Sequence, residues 1–259
     1  MVGCDGAMGR TITDFVKPLE DIEISGGYSP ITDYTCDYPV YNNFDDVDAD
    51  SFDVIVDFSH FSLFDQLADF AKRCRKPLLV ATTGLEASCV DKLKEMSADF
   101  SVFHTANMSY GVNLMVSLLQ KAVQNIDGFD IEIVEAHHNK KADAPSGTAL
   151  MIANAIKNSI KRPVEFLYGR YGKSTKRQEQ EITIHAIRGG TIIGEHQVLF
   201  RGGTIPGEHT VIFAGQDEIL EIKHTALSKK VFAAGAVKAA RFIADKPNGF
   251  YDMNSIING

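Results

Sequence analysis

The residues most capable of chemistry lie in one short stretch of the chain. Two adjacent histidines, His137 and His138, are followed closely by two adjacent lysines, Lys140 and Lys141. Histidine titrates near neutral pH, and lysine is a compact cation that can donate a proton. Ser146-Gly147-Thr148 then precedes an apolar-periodic segment, which predicts a helix whose first N–H groups favour an anion. These residue types predict a pocket that holds a small anionic substrate, such as a carboxylate, and supplies it with a proton.

The elements that must position this stretch include alternating strands and helices in the first half of the chain. Short apolar runs at 52–58, 77–81 and 101–106 predict buried strands, and the segments 61–73 and 89–98 between them have helical periodicity. This alternation predicts an α/β fold with a doubly wound parallel, Rossmann-like sheet. Mixed strand and helix patterns in the remaining sequence predict a second, α+β domain.

The first residues contain glycines at the spacing of a dinucleotide-binding loop. Gly3, Gly6 and Gly9 form G-x-x-G-x-x-G ahead of a helical pattern, a spacing variant of the dinucleotide fingerprint. Such a fold needs a buried first strand of about five residues before the glycines, and only Met1 and Val2 stand there. We therefore expect either a true start upstream or a shortened central strand, and both would weaken cofactor binding and stability.

Two further positions bear on the cofactor. The predicted second strand, 22–27, is followed by Tyr28 and Ser29. At this position NAD-binding folds have an acidic residue whose carboxylate accepts hydrogen bonds from the adenosine ribose. Without that carboxylate the 2′-phosphate of NADPH is not repelled, so the expected cofactor is NADH or NADPH, and the choice between them stays open. Thr82 and Thr83 follow a predicted strand, at the position where open α/β sheets bind ligands.

Bulk composition excludes several classes of protein. The net charge of −8 argues against nucleic acid or an anionic membrane as a partner. No apolar run approaches the roughly 18 residues that span a bilayer, and no leader pattern is present, which predicts a cytoplasmic protein. The four cysteines form no C-x-x-C pair and have no ligand spacing with histidine, so we expect reduced thiols and no metal site.

Residues 135–149, E-A-H-H-N-K-K-A-D-A-P-S-G-T-A, closely resemble the signature of the dihydrodipicolinate reductase (4-hydroxy-tetrahydrodipicolinate reductase) family. That signature is E-A-H-H-x-x-K-x-D-A-P-S-G-T-A, and this sequence matches every fixed position. The resemblance extends to the G-x-x-G-x-M-G loop, the 81–84 turn and the 107–113 segment, which is similar to the family's hinge. It implies NADH- or NADPH-dependent reduction of dihydrodipicolinate in lysine and diaminopimelate biosynthesis.

The resemblance also implies roles for individual residues. His137 is implied to exchange a proton and Lys141 to donate one, while His138, Gly147 and Thr148 are implied to bind a small dicarboxylate substrate. The residues implied to bind the cofactor are Gly3, Cys4, Asp5, Gly6, Ala7, Met8, Ala81, Thr82, Thr83, Thr105, Ala106, Asn107 and Met108.

The resemblance further implies a discontinuous domain division. Residues 1–106 plus 227–259 would form the dinucleotide-binding domain, and residues 107–226 the substrate-binding and oligomerisation domain. In the family the sheet of the second domain forms a tetramer contact, so a homotetramer is expected.

An internal repeat interrupts the resemblance. Residues 188–200 recur as 201–213, whereas the family has a single copy of R-G-G-x-x-x-G-x-H-x-V-x-F. We interpret this as a tandem duplication whose extra copy could add a hairpin, which leaves the oligomeric state open. His196 and His209 occupy equivalent repeat positions and are interpreted as structural. The charged residues 161–180 predict a loop.

Two alternatives stay open at this stage. One is another two-domain amino-acid dehydrogenase, acting on aspartate or homoserine. The other is an inactive relative that only binds nucleotide, which the short first strand, the missing ribose carboxylate and the duplication motivate.

Overall fold

The chain divides into two compact units, residues 1–110 with 229–259 and residues 111–228. The structure is a computed structural model, and it describes residues 1–30, 35–126, 129–172, 176–189, 207–214 and 218–258. No helix within these ranges is long and apolar enough to cross a membrane.

Strands and helices follow one another along both units. The strands are β1 (Gly27–Tyr28), β2 (Val40–Tyr41), β3 (Ile55–Asp57), β4 (Leu78–Val80), β5 (Ser101–His104), β6 (Asp130–His137), β7 (Glu165–Tyr168), β8 (Glu181–Arg188), β9 (Gly207–Ala214), β10 (Ile219–Ala226) and β11 (Gly249–Tyr251). The helices are α1 (Ala7–Val16), α2 (Phe64–Cys74), α3 (Ala87–Met96), α4 (Tyr110–Val123), α5 (Gly147–Ser159), α6 (Lys230–Ala244) and α7 (Met253–Ile257).

The first unit contains a parallel sheet in the order β2-β1-Val2-β3-β4-β5-β11. Val2 makes one parallel bridge to Tyr28 and one to Asp57, so a single residue occupies the place of the central strand. The Rossmann-like parallel sheet expected from the sequence is therefore confirmed, and its central strand is short. Burial lowers the pKa of the Met1 ammonium to about 6, and this ammonium donates to the Gly26 carbonyl at 2.8 Å.

A cavity of about 630 Å³ lies beside this short strand. Its wall includes Met1 and Val2, residues 19–28 on one side and residues 51–56 on the other. The wall does not include residues 3–9, so the cavity is separate from the glycine loop.

Helices α1 and α6 pack together beside the sheet of the first unit. The buried stripe Ile12 and Val16 of α1 contacts Ala233, Ala236 and Val237 of α6. Small residues on α6 allow this close packing, and the alanine-rich pattern of the helix is explained by it.

The second unit contains a mixed sheet in the order β10-β9-β6-β8-β7. Strand β6 is parallel to β8 and antiparallel to β9. Helices α4 and α5 supply Leu119, Ile152 and Ile156 to a core that also contains Ile131 and Ile133 of β6. Because side chains alternate along a strand, Glu135 and His137 share the face of Ile131 and Ile133.

The structure corrects two predictions of secondary structure. Residues 161–180 are not all loop, since β7 lies within them and pairs with β8. The burial of β7 is only partial, as expected of an edge strand, so its sequence lacks a buried apolar run. The second strand of the first unit is limited to residues 27–28 rather than 22–27. Most of the first repeat copy, including His196, lies outside the described residues, whereas the second copy contains β9.

Candidate functional site

Four chain segments of the second unit meet at the end of β6. The strand registers place Glu135 of β6 beside His209 of β9, and His137 of β6 beside Arg188 of β8. Ser146, the N-cap of α5, completes the group, because its N–H donates to Glu135. Polar residues of the stretch 135–149 therefore lie beside Arg188 of β8 and His209 of β9, two strands that are distant in the sequence.

Glu135 is the centre of this cluster and is fully buried. Its two carboxylate oxygens accept hydrogen bonds from Arg188 at 2.8 and 3.0 Å and from the Ser146 N–H at 3.0 Å. Burial opposes ionisation, but the hydrogen bonds from His137, Arg188 and Ser146 outweigh it and lower the pKa of Glu135 to about 2. Glu135 is therefore an ionised carboxylate near neutral pH.

The ring of His137 is oriented by that carboxylate. Nδ1 lies 2.5 Å from Glu135 Oε2, and an ionised carboxylate can only accept, so Nδ1 carries the proton. Nε2 is thereby left as the acceptor nitrogen and points toward Gly207, where a Cβ would lie only 2.8 Å from it. His137 is 6% exposed, so the absence of a side chain at Gly207 is what leaves room for its ring.

His209 lies beside His137 as a second, buried imidazole. The two rings are edge-on with centroids 5.5 Å apart, and His209 Nε2 is 3.5 Å from Ser146 Oγ. Burial, followed by repulsion from His137, lowers the pKa of His209 to about 3. Its Nδ1 is buried without a hydrogen-bond partner among the described residues. His209 is thus a neutral ring packed against the site.

Lys141 and the start of α5 share one carboxylate. Lys141 Nζ lies 2.7 Å from Asp143 Oδ1, and the Gly147 N–H donates to Asp143 Oδ2 at 3.3 Å. Hydrogen bonding to Lys141 is the main reason why the pKa of Asp143 is lowered. His138 and Thr148 lie on the same segment and are partly exposed. The segment therefore presents a cation and a helix N-terminus that already hold an anionic group.

In the first unit the glycine loop has the geometry that a dinucleotide requires. Gly3 has φ of +76°, and a Cβ there would lie 2.8 Å from the Phe58 carbonyl oxygen. A Cβ at Gly9 would lie 2.3 Å from the Gly3 carbonyl oxygen, so only glycine allows α1 to pack on the loop. Gly6 provides no side-chain cap for α1, which leaves the first turn of the helix suited to a pyrophosphate. These residues fit the cofactor predicted from the sequence.

The other predicted cofactor residues include side chains with internal partners. Thr82 donates its hydroxyl to Asp57 at 2.6 Å and to the Ser59 carbonyl at 3.0 Å, which ties the ends of β3 and β4 together. Thr83 is exposed at the same turn. Burial raises the pKa of the Cys4 thiol to about 11, so Cys4 is an unreactive core residue within the loop. Its neighbours Asp5, Ala7 and Met8 continue the loop into α1.

The segment after β5 is a tight turn. The Asn107 N–H donates to Thr105 Oγ1 at 3.2 Å, and the Ser109 N–H donates to the Asn107 side chain at 2.8 Å. Ala106 is exposed between them, and Met108 is buried. The Met108 carbonyl lies where a Cβ of Gly235 would be, at 1.7 Å, so α6 fixes the position of this segment.

Tyr28 belongs to the core and not to a ribose site. Its ring is buried and stacks on Phe44 with centroids 3.9 Å apart. Ser29 is also buried. Both side chains lie in the core of the first unit.

The sequence alone indicates no role for Glu135, Asp143 or Arg188, and it predicts only a structural role for His209. Strand periodicity offered one signal, since Glu135 stands two residues before His137 on the same face. No local signal indicated Arg188, because its contact with Glu135 spans 53 positions. Within the described ranges, no group of three His, Cys, Asp or Glu side chains could hold a metal ion.

Comparisons with known proteins cover nearly the whole chain. The family model described as "Dihydrodipicolinate reductase, N-terminus" matches residues 1–108, and "Dihydrodipicolinate reductase, C-terminus" matches residues 111–202 and 199–257. The two segments that match the C-terminal model overlap within the repeat. The 4-hydroxy-tetrahydrodipicolinate reductases of Clostridium novyi and Caldanaerobacter subterraneus subsp. tengcongensis are 44% and 41% identical to this chain. Each alignment covers 98% of this chain and 96% of the relative.

A solved structure shows the same fold. The dihydrodipicolinate reductase from Paenisporosarcina sp. TG-14, which has dipicolinate bound, aligns with a TM-score of 0.77 at 18% identity. The alignment covers 99% of this chain and 97% of that chain.

Proposed function

This chain belongs to the dihydrodipicolinate reductase family, and we propose that Lys141 and His137 carry out its acid–base chemistry while the start of α5 holds a substrate carboxylate. The chain is an NAD(P)H-dependent oxidoreductase of lysine and diaminopimelate biosynthesis, and it reduces 4-hydroxy-tetrahydrodipicolinate to tetrahydrodipicolinate. Family membership decides against the aspartate or homoserine dehydrogenase alternative.

The observation that carries the assignment of residues is the carboxylate held between Lys141 and Gly147. A site that binds the side chain of Asp143 in this way also suits a substrate carboxylate, since the chemistry of the anion is the same. His138 and Thr148 lie on the same segment and would contact the substrate, which is a small dicarboxylate. Lys141 would donate the proton that accompanies hydride transfer.

His137 would exchange protons through Nε2, because Glu135 engages Nδ1. The buried carboxylate fixes the ring orientation and the tautomer of His137, and Arg188 holds that carboxylate in place. In this proposal Glu135 and Arg188 act through His137 and do not touch the substrate.

The cofactor would be held by the first unit, at the glycine loop, the 81–83 turn and the 105–108 turn. When bound, NADH or NADPH supplies the hydride. The chain's own contribution is the glycine backbone, which can approach the pyrophosphate closely, and the first turn of α1, which favours its charge. Because Tyr28 is in the core and offers no carboxylate, both cofactors should be accepted.

We also propose that the functional domains follow the two compact units. Residues 1–106 with 227–259 would bind the dinucleotide, and residues 107–226 would bind substrate and mediate assembly. The proposed state is a cytoplasmic homotetramer without nucleic acid or membrane partners. The support for assembly is the exposed apolar surface of the edge strand β10, where Ile219 is 67% exposed.

Oxidation of NADH and NADPH by the purified chain tests the assignment. The substrate is generated in the assay from pyruvate and aspartate semialdehyde, and omission of either component is the blank. Turnover with both cofactors is expected. A folded protein that oxidises neither cofactor would instead support the inactive-relative alternative.

A further inference from the structure

Asp143 occupies the position that the proposed function gives to the substrate. Its Oδ1 contacts Lys141 Nζ at 2.7 Å, and its Oδ2 accepts the Gly147 N–H at 3.3 Å. One carboxylate therefore bridges the proposed proton donor and the proposed carboxylate-binding amide. Among the described residues, Asp143 is the carboxylate that contacts both Lys141 Nζ and the Gly147 N–H.

The main chain at Asp143 is anchored, while its side chain is accessible. The Asp143 carbonyl accepts a hydrogen bond from Arg188 at 2.6 Å, and Arg188 is held in turn by the buried Glu135. By contrast, 53% of the Asp143 side chain is exposed. The carboxylate can thus rotate into solvent about its own side-chain bonds while the loop stays in place.

We propose that Asp143 is an internal competitor for the substrate, a carboxylate that fills the Lys141–Gly147 site and is displaced when a substrate carboxylate enters. This inference rests on the proposed function of that site. A substrate carboxylate restores both contacts, so Lys141 keeps an anionic partner throughout the exchange. The cost is the loss of the Asp143 contacts, which appears as weaker binding of substrate.

The expected size of the effect follows from the exposure of the pair. Exposed lysine–carboxylate pairs stabilise proteins only weakly, and a 24% exposed Lys141 belongs near the upper end of that range. Removing the competitor should therefore tighten binding about two- to five-fold.

Binding of dipicolinate (pyridine-2,6-dicarboxylate) by isothermal titration calorimetry tests the proposal. The variants are Asp143→Asn, which retains an acceptor for the Gly147 N–H, and Asp143→Ala, which removes both contacts. The matched control is Asp91→Asn, which breaks an exposed 2.9 Å pair with Lys94 on α3 in the first unit. Both Asp143 variants should bind dipicolinate more tightly than the parent, Asp143→Ala at least as strongly as Asp143→Asn, and the control should match the parent.

Steady-state kinetics separates competition from positioning. An internal competitor raises KM and leaves kcat alone, since it has left the site once substrate is bound. Both variants should therefore show a KM lowered about two- to five-fold, with kcat within about two-fold of the parent. A lower kcat with unchanged or higher KM would instead make Asp143 a positioning residue for Lys141.

Unchanged or weaker dipicolinate binding in both folded variants overturns the proposal. If the parent turns over substrate in that case, the proposed function stands and only this inference fails. If the folded parent neither binds dipicolinate nor turns over substrate, the substrate site itself is wrongly assigned and both proposals fail. Thermal unfolding of each variant shows whether it is folded.

Discussion

At the scale of single residues, Lys141 and Glu135 differ in their exposure to solvent. Lys141, the proposed proton donor, is partly exposed on the segment between β6 and α5, whereas Glu135 is fully buried. A change at Lys141 should therefore affect chemistry, and a change at Glu135 should affect the structure that supports chemistry.

Replacing Lys141 with Ala should lower kcat about 10²–10⁴-fold, the usual contribution of a general acid. Binding of NADH and NADPH should stay within about two-fold, because the cofactor residues belong to the other unit. Stopped-flow turnover and fluorescence titration of NADH measure the two quantities. Lys140→Ala, at the neighbouring exposed lysine, is the control and should keep most activity. Equal loss of turnover and cofactor binding would contradict the role of Lys141.

Replacing Glu135 with Gln should destabilise the protein by about 3 kcal/mol. The variant leaves Arg188, which is 16% exposed, beside a buried neutral amide, and removing one partner of a buried ion pair is costly. Urea unfolding measures the change. The exposed Glu221→Gln, on β10, should change stability by less than about 0.5 kcal/mol. A Glu135→Gln variant as stable as the parent would show that the Arg188 pair contributes nothing.

At the scale of elements, α6 and the strand pair β6–β9 each contain one residue whose contribution to stability depends on how the neighbouring segments pack against it. On α6 it is Gly235, whose missing Cβ admits the Met108 carbonyl. On β9 it is His209, which is buried beside His137.

Gly235→Ala should destabilise the protein by up to about 3 kcal/mol, because the new Cβ would lie 1.7 Å from the Met108 oxygen and α6 would have to move. Helix propensity alone predicts the opposite sign, a gain of about 1 kcal/mol. Thermal unfolding distinguishes the two. The exposed neighbour Ala234→Gly should cost only about 1 kcal/mol. A more stable Gly235→Ala would show that the packing at Met108 is loose.

Stability should fall as the pH is lowered below 6.5, in part because of His209. Its folded pKa of about 3 lies below the ordinary histidine value of 6.5, so in this window the unfolded chain binds a proton that the folded chain does not. The slope approaches about 1.4 kcal/mol per pH unit once the unfolded imidazole is fully protonated. Glu135, with a folded pKa of about 2 against 4.5, adds a loss of the same sign as the pH falls below 4.5.

The variant His209→Asn isolates the histidine contribution. Urea unfolding between pH 5 and 6.5 should show a pH dependence of stability that is flatter by about 1 kcal/mol per unit than in the parent, because the unfolded imidazole is only partly protonated in this window. The exposed His60→Asn is the control and should retain the parental slope. An unchanged slope in His209→Asn would mean that the ring binds protons equally in the folded protein and in the unfolded chain.

At the scale of the whole molecule, the edge strand β10 is the surface proposed for assembly. Among the strands that the structure describes, β10 lies at one edge of the second sheet and presents Ile219 and Leu220 to solvent, and β7 lies at the opposite edge. An exposed apolar edge strand is a surface that proteins cover by pairing or by assembly.

Light scattering after size exclusion should give the mass of a tetramer for the parent. Ile219→Lys should shift the mass toward smaller species, since the charge would have to be buried in the contact. The matched control is Tyr168→Lys on β7, which is 57% exposed in the parent and should leave the mass unchanged. A parent that is monomeric at all concentrations would rule out the homotetramer.

The sequence by itself determined the family and the Rossmann-like pattern, and it predicted the stretch that is proposed to contain the chemistry. These features are local, because hydrophobic periodicity and a fifteen-residue signature can be read from neighbours in the chain. The sequence left open whether the first strand is shortened or begins upstream, and in the structure Val2 alone bridges β1 and β3. The strand β7 was missed because a partly exposed edge strand has no distinctive periodicity.

Only the tertiary structure decided how the signature residues are supported. Glu135 becomes the centre of a buried cluster because strand register brings Arg188 and His209 beside it, and register depends on pairing between distant segments. The contact of Asp143 with both Lys141 and Gly147 depends on the path of the loop between β6 and α5. Residue types and spacing can therefore indicate which chemistry is available, but burial and partners, which set pKa values and roles, follow from the folded arrangement.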